Sequence, residues 1–179
     1  MNKIIEEILW QIYYSTDNGI VHHNDRRVVM LNDILKGMHN FTSKQLSMAV
    51  CDLKKQKLIQ EAKGYNNSIS VSLTERGALR AINFSFRRLN DKKEKWDGKW
   101  RMVAFDIPES HRKGRNALNY RLKMGGFYEM QESIFLYPYD CKKEIDAFVK
   151  LFKIEKYVRF GLLDFIDGQD GIKLRYKIA

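Results

Sequence analysis

Residues 96–109 read WDGKWRMVAFDIPE, and this stretch decides how the chain is divided. A turn-forming Asp-Gly pair precedes an apolar run over residues 102–105, which is typical of a buried strand. Asp106 ends the run, and a proline two residues later is followed by a helical pattern over residues 110–124. The stretch therefore predicts a strand, a turn and a helix, with one carboxylate at the end of the strand.

The composition is that of a globular protein whose partners are anionic. The chain has 179 residues, of which 44% are hydrophobic and 30% charged, so we expect one or two compact units. The formal net charge is +10, and both halves carry an excess of basic residues, which favours a polyanionic partner. No apolar run approaches the length of a membrane span. Cys51 and Cys141 fall in different halves of the chain, lack metal-ligand spacing and do not indicate a disulfide framework, so we expect a protein of the reducing cytoplasm, without membrane association.

The first 57 residues carry three helical patterns. The first covers residues 3–14, a polar loop is expected over residues 20–28, and a short helix is expected over residues 29–35. The third pattern runs to residue 57, and the pair Thr42-Ser43 at its start offers an N-terminal cap. Its inward side is apolar, and its outer side is polar and basic. The inward residues are Leu46, Ala49, Val50 and Leu53.

A hairpin and a further helix follow the third helix. Residues 59–62 and 68–73 have the composition of short strands, and the turn formers of residues 63–67 join them. Thr74 then caps another helix. This order predicts a winged helix-turn-helix domain over residues 1–83, in which the third helix enters the DNA major groove and the wing meets the backbone.

We expect the DNA contacts at the third helix and at the wing. A helical domain that binds a protein is the competing interpretation, because a fold does not fix a function, but the basic outer side of the helix favours DNA. The candidates for base edges are Ser43, Lys44, Ser47 and Met48, and the candidates for phosphates are Lys54, Lys55, Lys63, Asn66 and Asn67.

The remainder of the chain predicts a basic connector and a second domain. Residues 84–95 are expected to be a basic helix end and linker, and residues 96–179 a dimerisation domain. The order βαββαβ is the ferredoxin-like pattern, so the predicted fold class is α+β. In the helix over residues 110–124, Arg112, Arg115 and Arg121 are expected to flank the apolar side. Residues 172–178 alternate apolar and basic residues and predict a last edge strand that pairs with another subunit.

The pentapeptide Trp96-Asp97-Gly98-Lys99-Trp100, preceded by a winged helix and a basic helix, resembles the phenylacetate-degradation repressor (PaaX) family of transcriptional regulators. Residues 105–109, Arg112, Arg115, and residues 126–127 and 131–135 are similar to the ferredoxin-like CRISPR adaptation nucleases. The resemblance implies a homodimer that binds double-stranded DNA and represses promoters, and that an aryl-acetyl coenzyme A thioester releases. The longer regulators continue into a further helical domain, so we do not expect a small-molecule effector here.

Two functions follow, and a third is weaker. A dimeric, sequence-specific transcriptional regulator, a repressor, would read half-sites about 34–36 Å apart and needs no cofactor. The alternative is a metal-dependent nuclease in which Asp106 holds Mg²⁺, with Glu109 as a helper. Asp106 has a competing structural interpretation, in which its carboxylate accepts backbone N–H groups at the start of the next helix. The weaker option is a dimer kept for assembly with adaptation or defence proteins.

Overall fold

The computed structural model describes residues 3–15, 29–63, 69–91 and 94–178. The chain divides into two compact units, Met1–Phe84 (unit 1) and Ser85–Ala179 (unit 2). The loop predicted over residues 20–28 and the wing residues Asn66 and Asn67 lie outside the described residues. Within them, no helix is long and apolar enough to cross a membrane.

Unit 1 is a set of helices packed with a small antiparallel sheet. Its strands lie in the order β1-β3-β2. Residues Val29 and Met30, predicted to begin a helix, instead pair with Val71 and Ser70 of the sheet, so that prediction is corrected and the helix starts two residues later. The elements are α1 (Lys3–Ser15), β1 (Val29–Met30), α2 (Leu31–Lys36), α3 (Ser43–Lys55), β2 (Ile59–Lys63), β3 (Ile69–Leu73) and α4 (Glu75–Asn90), which continues into unit 2.

Unit 2 is an α+β layer built on four antiparallel strands. Its order along the chain is βαββαβ followed by a helix, and the strands lie side by side as β5-β6-β4-β7. The predicted α+β class and the four-stranded sheet are therefore confirmed. The elements are β4 (Trp100–Phe105), α5 (Arg112–Met124), β5 (Tyr128–Gln131), β6 (Ile134–Tyr137), α6 (Lys142–Phe152), β7 (Val158–Leu163) and α7 (Gln169–Tyr176).

The last helix corrects the predicted edge strand. Ile172 and Tyr176 are four residues apart, so they fall on one side of α7, and both pack on the cluster around Trp100 and Leu136. Leu174, which completed the alternating pattern, is 80% exposed. The alternating pattern therefore does not indicate a strand here, because the residues that pack on the sheet, Ile172 and Tyr176, are four positions apart. The chain's C-terminal segment covers its own sheet as a helix.

The α7 helix covers only one end of that sheet face. Paired residues on neighbouring strands lie on the same side of a sheet, and side chains along one strand alternate. Trp100 and Met102 of β4 pack in the α7 cluster, so Ala104 shares their side. Ala104 pairs with Ile134 and Arg159, and these residues line an open pocket of about 700 Å³. One face thus has a covered apolar end and an open end.

The opposite face supplies the larger core. Val103 and Phe135 are fully buried there, and α5 and α6 bury the apolar sides of their helices. Arg121, predicted to flank the apolar side of α5, is only 8% exposed, which corrects that prediction. Its guanidinium lies 5.1 Å from the centre of the Phe148 ring, and burial lowers its pKa. A flat guanidinium can stack on an aromatic ring, so it is tolerated in this core.

The last turns of α4 belong to unit 2. The rings of Phe86 and Phe148 lie 6.1 Å apart in an edge-to-face arrangement. The buried Tyr137 hydroxyl donates to the carbonyl oxygen of Leu89, and burial raises its pKa above the ordinary value. Gly126 approaches Asn90 so closely that a β carbon would lie 2.5 Å from the amide oxygen, and its φ of +81° also favours glycine. These contacts hold the C-terminal end of α4 within unit 2.

Candidate nucleic-acid interface

The α3 helix begins with a complete capping box. The Thr42 hydroxyl accepts the Gln45 backbone N–H at 3.3 Å, and the Gln45 side-chain oxygen accepts the Thr42 N–H at 2.9 Å. Two backbone donors that a helix start leaves unsatisfied are thereby bonded. The predicted cap at Thr42 is confirmed. The capping box fixes where the helix begins, and so it fixes which residues of its first turns face outward.

The two sides of α3 differ sharply in burial. The four residues predicted to point inward, Leu46, Ala49, Val50 and Leu53, are all buried. The outer side is exposed, and the Met48 side chain, at 61% exposure, adds an apolar group to the polar ones there. The structure places every base-edge candidate on this exposed side: Ser43, Lys44, Ser47 and Met48.

The phosphate candidates have different surroundings. Lys55 is exposed, whereas the Lys54 ammonium pairs with Glu61 at 2.6 Å. Because Glu61 partly neutralises Lys54, Lys55 is the stronger candidate of the two. Lys63 is the last residue of β2 and pairs with Ile69. Asn66 and Asn67, the candidates in the predicted wing, lie outside the described residues.

The end of α3 is held against the start of α4. Lys57 has a φ of 52°, and the Leu58 N–H donates to the carbonyl oxygen of Leu53, which closes the helix. The Thr74 hydroxyl donates to the Lys57 carbonyl oxygen at 2.9 Å and accepts the Gly77 N–H at 3.1 Å. A β carbon at Gly77 would lie 2.1 Å from the Leu58 carbonyl oxygen. Only glycine permits this close approach, which fixes the end of α3.

In unit 2, a turn closed by an ion pair precedes β4. The Arg101 guanidinium donates two hydrogen bonds to the Asp97 carboxylate, at 2.6 and 2.7 Å. These bonds are the main reason that the pKa of Asp97 falls to about 2. Gly98, between the two partners, has a φ of +81°, a conformation that favours glycine. Asp97 and Gly98 of the pentapeptide therefore stabilise the turn that precedes β4.

The two tryptophans of the pentapeptide hold α7 in place. Their ring centres lie 5.1 Å apart, and the fully buried Trp100 donates its indole N–H to the Gln169 side chain at 3.0 Å. Lys173 lies over the Trp96 ring, 5.4 Å from its centre. The Tyr176 hydroxyl donates to the Gly126 carbonyl oxygen at 2.7 Å. The two tryptophans of the pentapeptide thus form a surface on which α7 packs.

Asp106 lies at the end of β4, at the mouth of the open pocket. Its side chain is exposed, and within the described ranges its carboxylate has no hydrogen-bond or ion-pair partner. The short helical turn at Glu109–His111 has Pro108 at its cap position and no side-chain cap. The interpretation that Asp106 caps the next helix is therefore wrong. The carboxylate is available to a ligand or to a second protein chain.

The residues around Asp106 fit a divalent metal poorly. Glu132 lines the same pocket, but so do the cationic side chains of Lys156 and Arg159, which repel a metal ion. Across the part of the chain that the structure describes, no group of three or more His, Cys, Asp or Glu residues could hold a metal ion. Mg²⁺ takes several oxygen ligands in octahedral geometry. The described residues of one chain do not provide such a site.

One surface was missed by the sequence interpretation, the outer side of α5. The helix sequence RKGRNALNYRLKM contains five basic residues and no acidic one, and this bias was the available signal. Residues at spacings of three and four fall on one side of a helix. The exposed positions are Arg112, Lys113, Asn116, Tyr120 and Lys123, and we refer to them as the α5 surface.

Comparison with known proteins finds a similarity over most of unit 2. Residues 93–172 match the family model described as the PaaX protein central Cas2-like domain. No curated protein matches the chain. The matched residues contain the pentapeptide turn, the whole four-stranded sheet and the first half of α7. The resemblance expected from the sequence is therefore confirmed over this region: residues 93–172 are similar to the PaaX central Cas2-like domain.

Proposed function

We propose that this PaaX-like chain is a homodimeric, sequence-specific DNA-binding transcriptional regulator, a repressor, whose unit 1 is a winged helix-turn-helix domain. The single observation that carries the proposal is the outer side of α3. Lys44, Ser47 and Met48 are exposed there, and they have no hydrogen-bond or ion-pair partner within the described ranges. A hydroxyl, a thioether and an ammonium group on one helix offer the varied contacts that base edges require.

The order of elements in unit 1 supports the winged helix. Helices precede α3, a two-stranded hairpin follows it, and α4 comes next. In that arrangement the helix before the hairpin enters the major groove and the hairpin meets the backbone. The proposed readers therefore lie on the element that the arrangement assigns to base contacts.

The open end of the unit 2 sheet supports a two-fold dimer. Its small apolar centre, Ala104 and Ile134, lies beside Asp106 and Arg159, which carry opposite charges. A two-fold axis brings the same patch of each chain together, so a patch with both signs of charge can be complementary to itself. We propose that the second copy docks here, in place of the strand pairing that the sequence predicted.

The dimer is tested by light scattering of the purified chain over a concentration series. We expect Arg159→Glu to shift the dimer to monomer. In the proposed dimer this cation would lie opposite a carboxylate of the partner chain, and both chains lose it. Lys150→Glu, which makes the same charge change on α6, is the control and should leave the dimer intact. A wild-type chain that is monomeric at all concentrations would refute the dimer.

The reading function is tested by selecting bound fragments from a random pool of duplex DNA. We expect a pseudo-palindromic site with half-sites about 34–36 Å apart, or a multiple of that distance. The variant Lys44→Ala/Ser47→Ala/Met48→Ala should lose the preference for this site, with a loss of roughly 1–3 kcal/mol for each good base contact. A pool without enrichment, or a triple variant with unchanged preference, would contradict the proposal.

The second candidate function, a Mg²⁺-dependent nuclease, rests on one observation. Asp106 is exposed, has no partner among the described residues, and lies at a strand end beside an open pocket. A metal site would require the second copy to supply its carboxylate as well. Incubation of the chain with nucleic acid and Mg²⁺ tests this function. Cleavage that is lost in Asp106→Ala would support it, and intact nucleic acid would reject it.

A further inference from the structure

The α5 surface carries basic side chains that the stability of unit 2 does not require. Two other basic residues of α5 belong to the structure of unit 2, since Arg115 donates to the Ile107 carbonyl oxygen at 3.1 Å and Arg121 packs over Phe148. Arg112 and Lys113, by contrast, lie in the first turn of the helix. Cations there face the positive end of the helix dipole, which costs roughly 0.3–1 kcal/mol each. Their presence is therefore not explained by the stability of α5.

The ion pairs at the α5 surface are weak. Arg112 lies 3.6 Å from Glu109, and both side chains are about two-thirds exposed, at 67% and 69%. Lys123 pairs with Glu129 at 2.9 Å, again at the surface. Lys113 has no ion pair within the described ranges. Such exposed pairs contribute about 0–1 kcal/mol, so a stronger anion can replace the glutamates.

The spacing of these groups suits a nucleic-acid backbone. From Arg112 to Lys123 the helix rises about 16 Å, since each residue adds about 1.5 Å. Over that distance one strand of a duplex presents about five phosphates, at roughly 3.4 Å of axial rise each. Asn116 and Tyr120 lie between the cations, and Tyr120 is 65% exposed. Amide and phenol groups are common donors to phosphate oxygens.

From this arrangement we infer that the α5 surface binds the phosphate backbone of duplex DNA. The inference rests on the proposed DNA-binding function and adds to it a second contact, on unit 2. The charge of the surface residues is of a single sign, which matches the uniform negative charge of a phosphate backbone. Phosphate contacts do not read sequence, so α5 contributes affinity and salt dependence while α3 contributes the choice of site.

The test compares three variants of the full chain against duplex DNA over a range of salt concentrations. The first is Arg112→Gln/Lys113→Gln/Lys123→Gln, which removes the cations of the α5 surface. The second, Arg112→Lys/Lys113→Arg/Lys123→Arg, keeps every charge. The third, Lys150→Gln/Lys153→Gln/Lys177→Gln, removes the same charge elsewhere on unit 2. All substituted side chains lie at the surface, and circular dichroism before and after heating confirms that each variant folds.

We expect the first variant to bind the selected site and a random duplex more weakly by the same factor, about ten- to a hundredfold. The slope of log K against log salt should fall by about 2–3, because each lost phosphate contact removes roughly 0.9. The charge-keeping variant and the distant control should bind close to wild type. An unchanged slope in the first variant, or an equal loss in the distant control, would overturn the inference.

The two proposals fail separately in this experiment, because Lys44→Ala/Ser47→Ala/Met48→Ala is measured beside the α5 variants. If that α3 variant loses site preference while the α5 variant matches wild type, only the α5 inference is wrong. If no variant and no wild-type chain prefers any site, yet the α5 variant loses salt-dependent binding, the regulator function is wrong and the α5 surface stands.

Discussion

The helices α3 and α5 are each 13 residues long and each present a basic side to solvent, but they are built for different contacts. The α3 helix begins with a capping box and carries hydroxyl, thioether and lysine groups on its outer side. The α5 helix has no side-chain cap and carries cations without any acidic residue. A varied surface can distinguish bases, whereas a uniform one matches a uniform backbone. Under the two proposals, the α3 surface would choose the DNA site and the α5 surface would strengthen the binding.

The two helices also differ in the contacts that fix their ends. The start of α3 is fixed by Thr42, and its end is fixed through the contact of Gly77 with Leu58. The start of α5 is steadied instead by Arg115, which bonds the Ile107 carbonyl oxygen and the Glu109 carboxylate of the preceding turn. Position along α3 matters because base contacts need a fixed register. A backbone contact tolerates a less constrained helix start.

The largest expected effect separates the inner side of α5 from its outer side. Leu118 is fully buried, so Leu118→Ala should lower the free energy of unfolding by about 2–5 kcal/mol through lost burial and the cavity left behind. Tyr120→Ala, two residues along the same helix, should change it by no more than about 0.5 kcal/mol. Urea unfolding measures both. Equal losses in the two variants would mean that the exposed side is also packed.

The next effect concerns the support of α3. Gly77→Ala places a β carbon against the backbone of Leu58, and moving that backbone should cost about 1–3 kcal/mol. Gly171→Ala is the matched control, because no atom lies within 4 Å of its added carbon and it lies within α7. That control should gain up to about 1 kcal/mol from helix propensity. Thermal unfolding of both variants gives the difference, and a stable Gly77→Ala would show that α4 can withdraw from Leu58.

A smaller effect tests the cap that distinguishes the two helices. Thr42→Ala removes the side-chain acceptor at the start of α3 and should cost about 1 kcal/mol. It should also weaken binding to the selected DNA site, because the first turn carries base-edge candidates. Ser43→Ala, one residue later, should leave stability within about 0.5 kcal/mol of wild type. If the two substitutions cost the same in chemical unfolding, the capping box does not fix the helix start.

The substitution with the smallest expected effect should raise the stability of the fold and lower the affinity for DNA. Asn116→Glu puts a better helix former and a partner for Arg112 on the α5 surface, so stability should rise by about 0.5 kcal/mol. DNA affinity should fall several-fold, because the new carboxylate repels phosphates. Asn116→Gln, which adds length without charge, is the control. A parallel rise in both quantities, read from unfolding curves and gel shifts, would remove α5 from the DNA-binding surface.

Sequence periodicity was sufficient wherever one contact pattern dominated. The inward side of α3 and its cap followed from spacing and from the short hydroxyl side chain of Thr42, since both are local properties. The strand ending at Asp106 was also predicted, because a short, continuous apolar run between turn signals is typical of a buried strand. The exposed position of Asp106 at that strand end agrees with the same reasoning.

Periodicity failed where contacts between distant residues decide the structure. Ile172 and Tyr176 fit either a strand or a helix until their partner, Trp100, is known. Arg121 looked like a surface residue because nothing near it in sequence announces the ring of Phe148, 27 positions later. The α5 surface was overlooked for another reason. Its signal is a missing residue type, not a motif.

The seating of α7 on the pentapeptide has a practical consequence. The chain has three tryptophans, and two of them, Trp96 and Trp100, stand beside this helix, whereas Trp10 belongs to α1 in unit 1. Release of α7 would expose the shielded indole of Trp100 to water and withdraw the Lys173 ammonium from the ring of Trp96. A red shift of the emission, kept in Trp10→Phe, would therefore follow this helix optically without any added label.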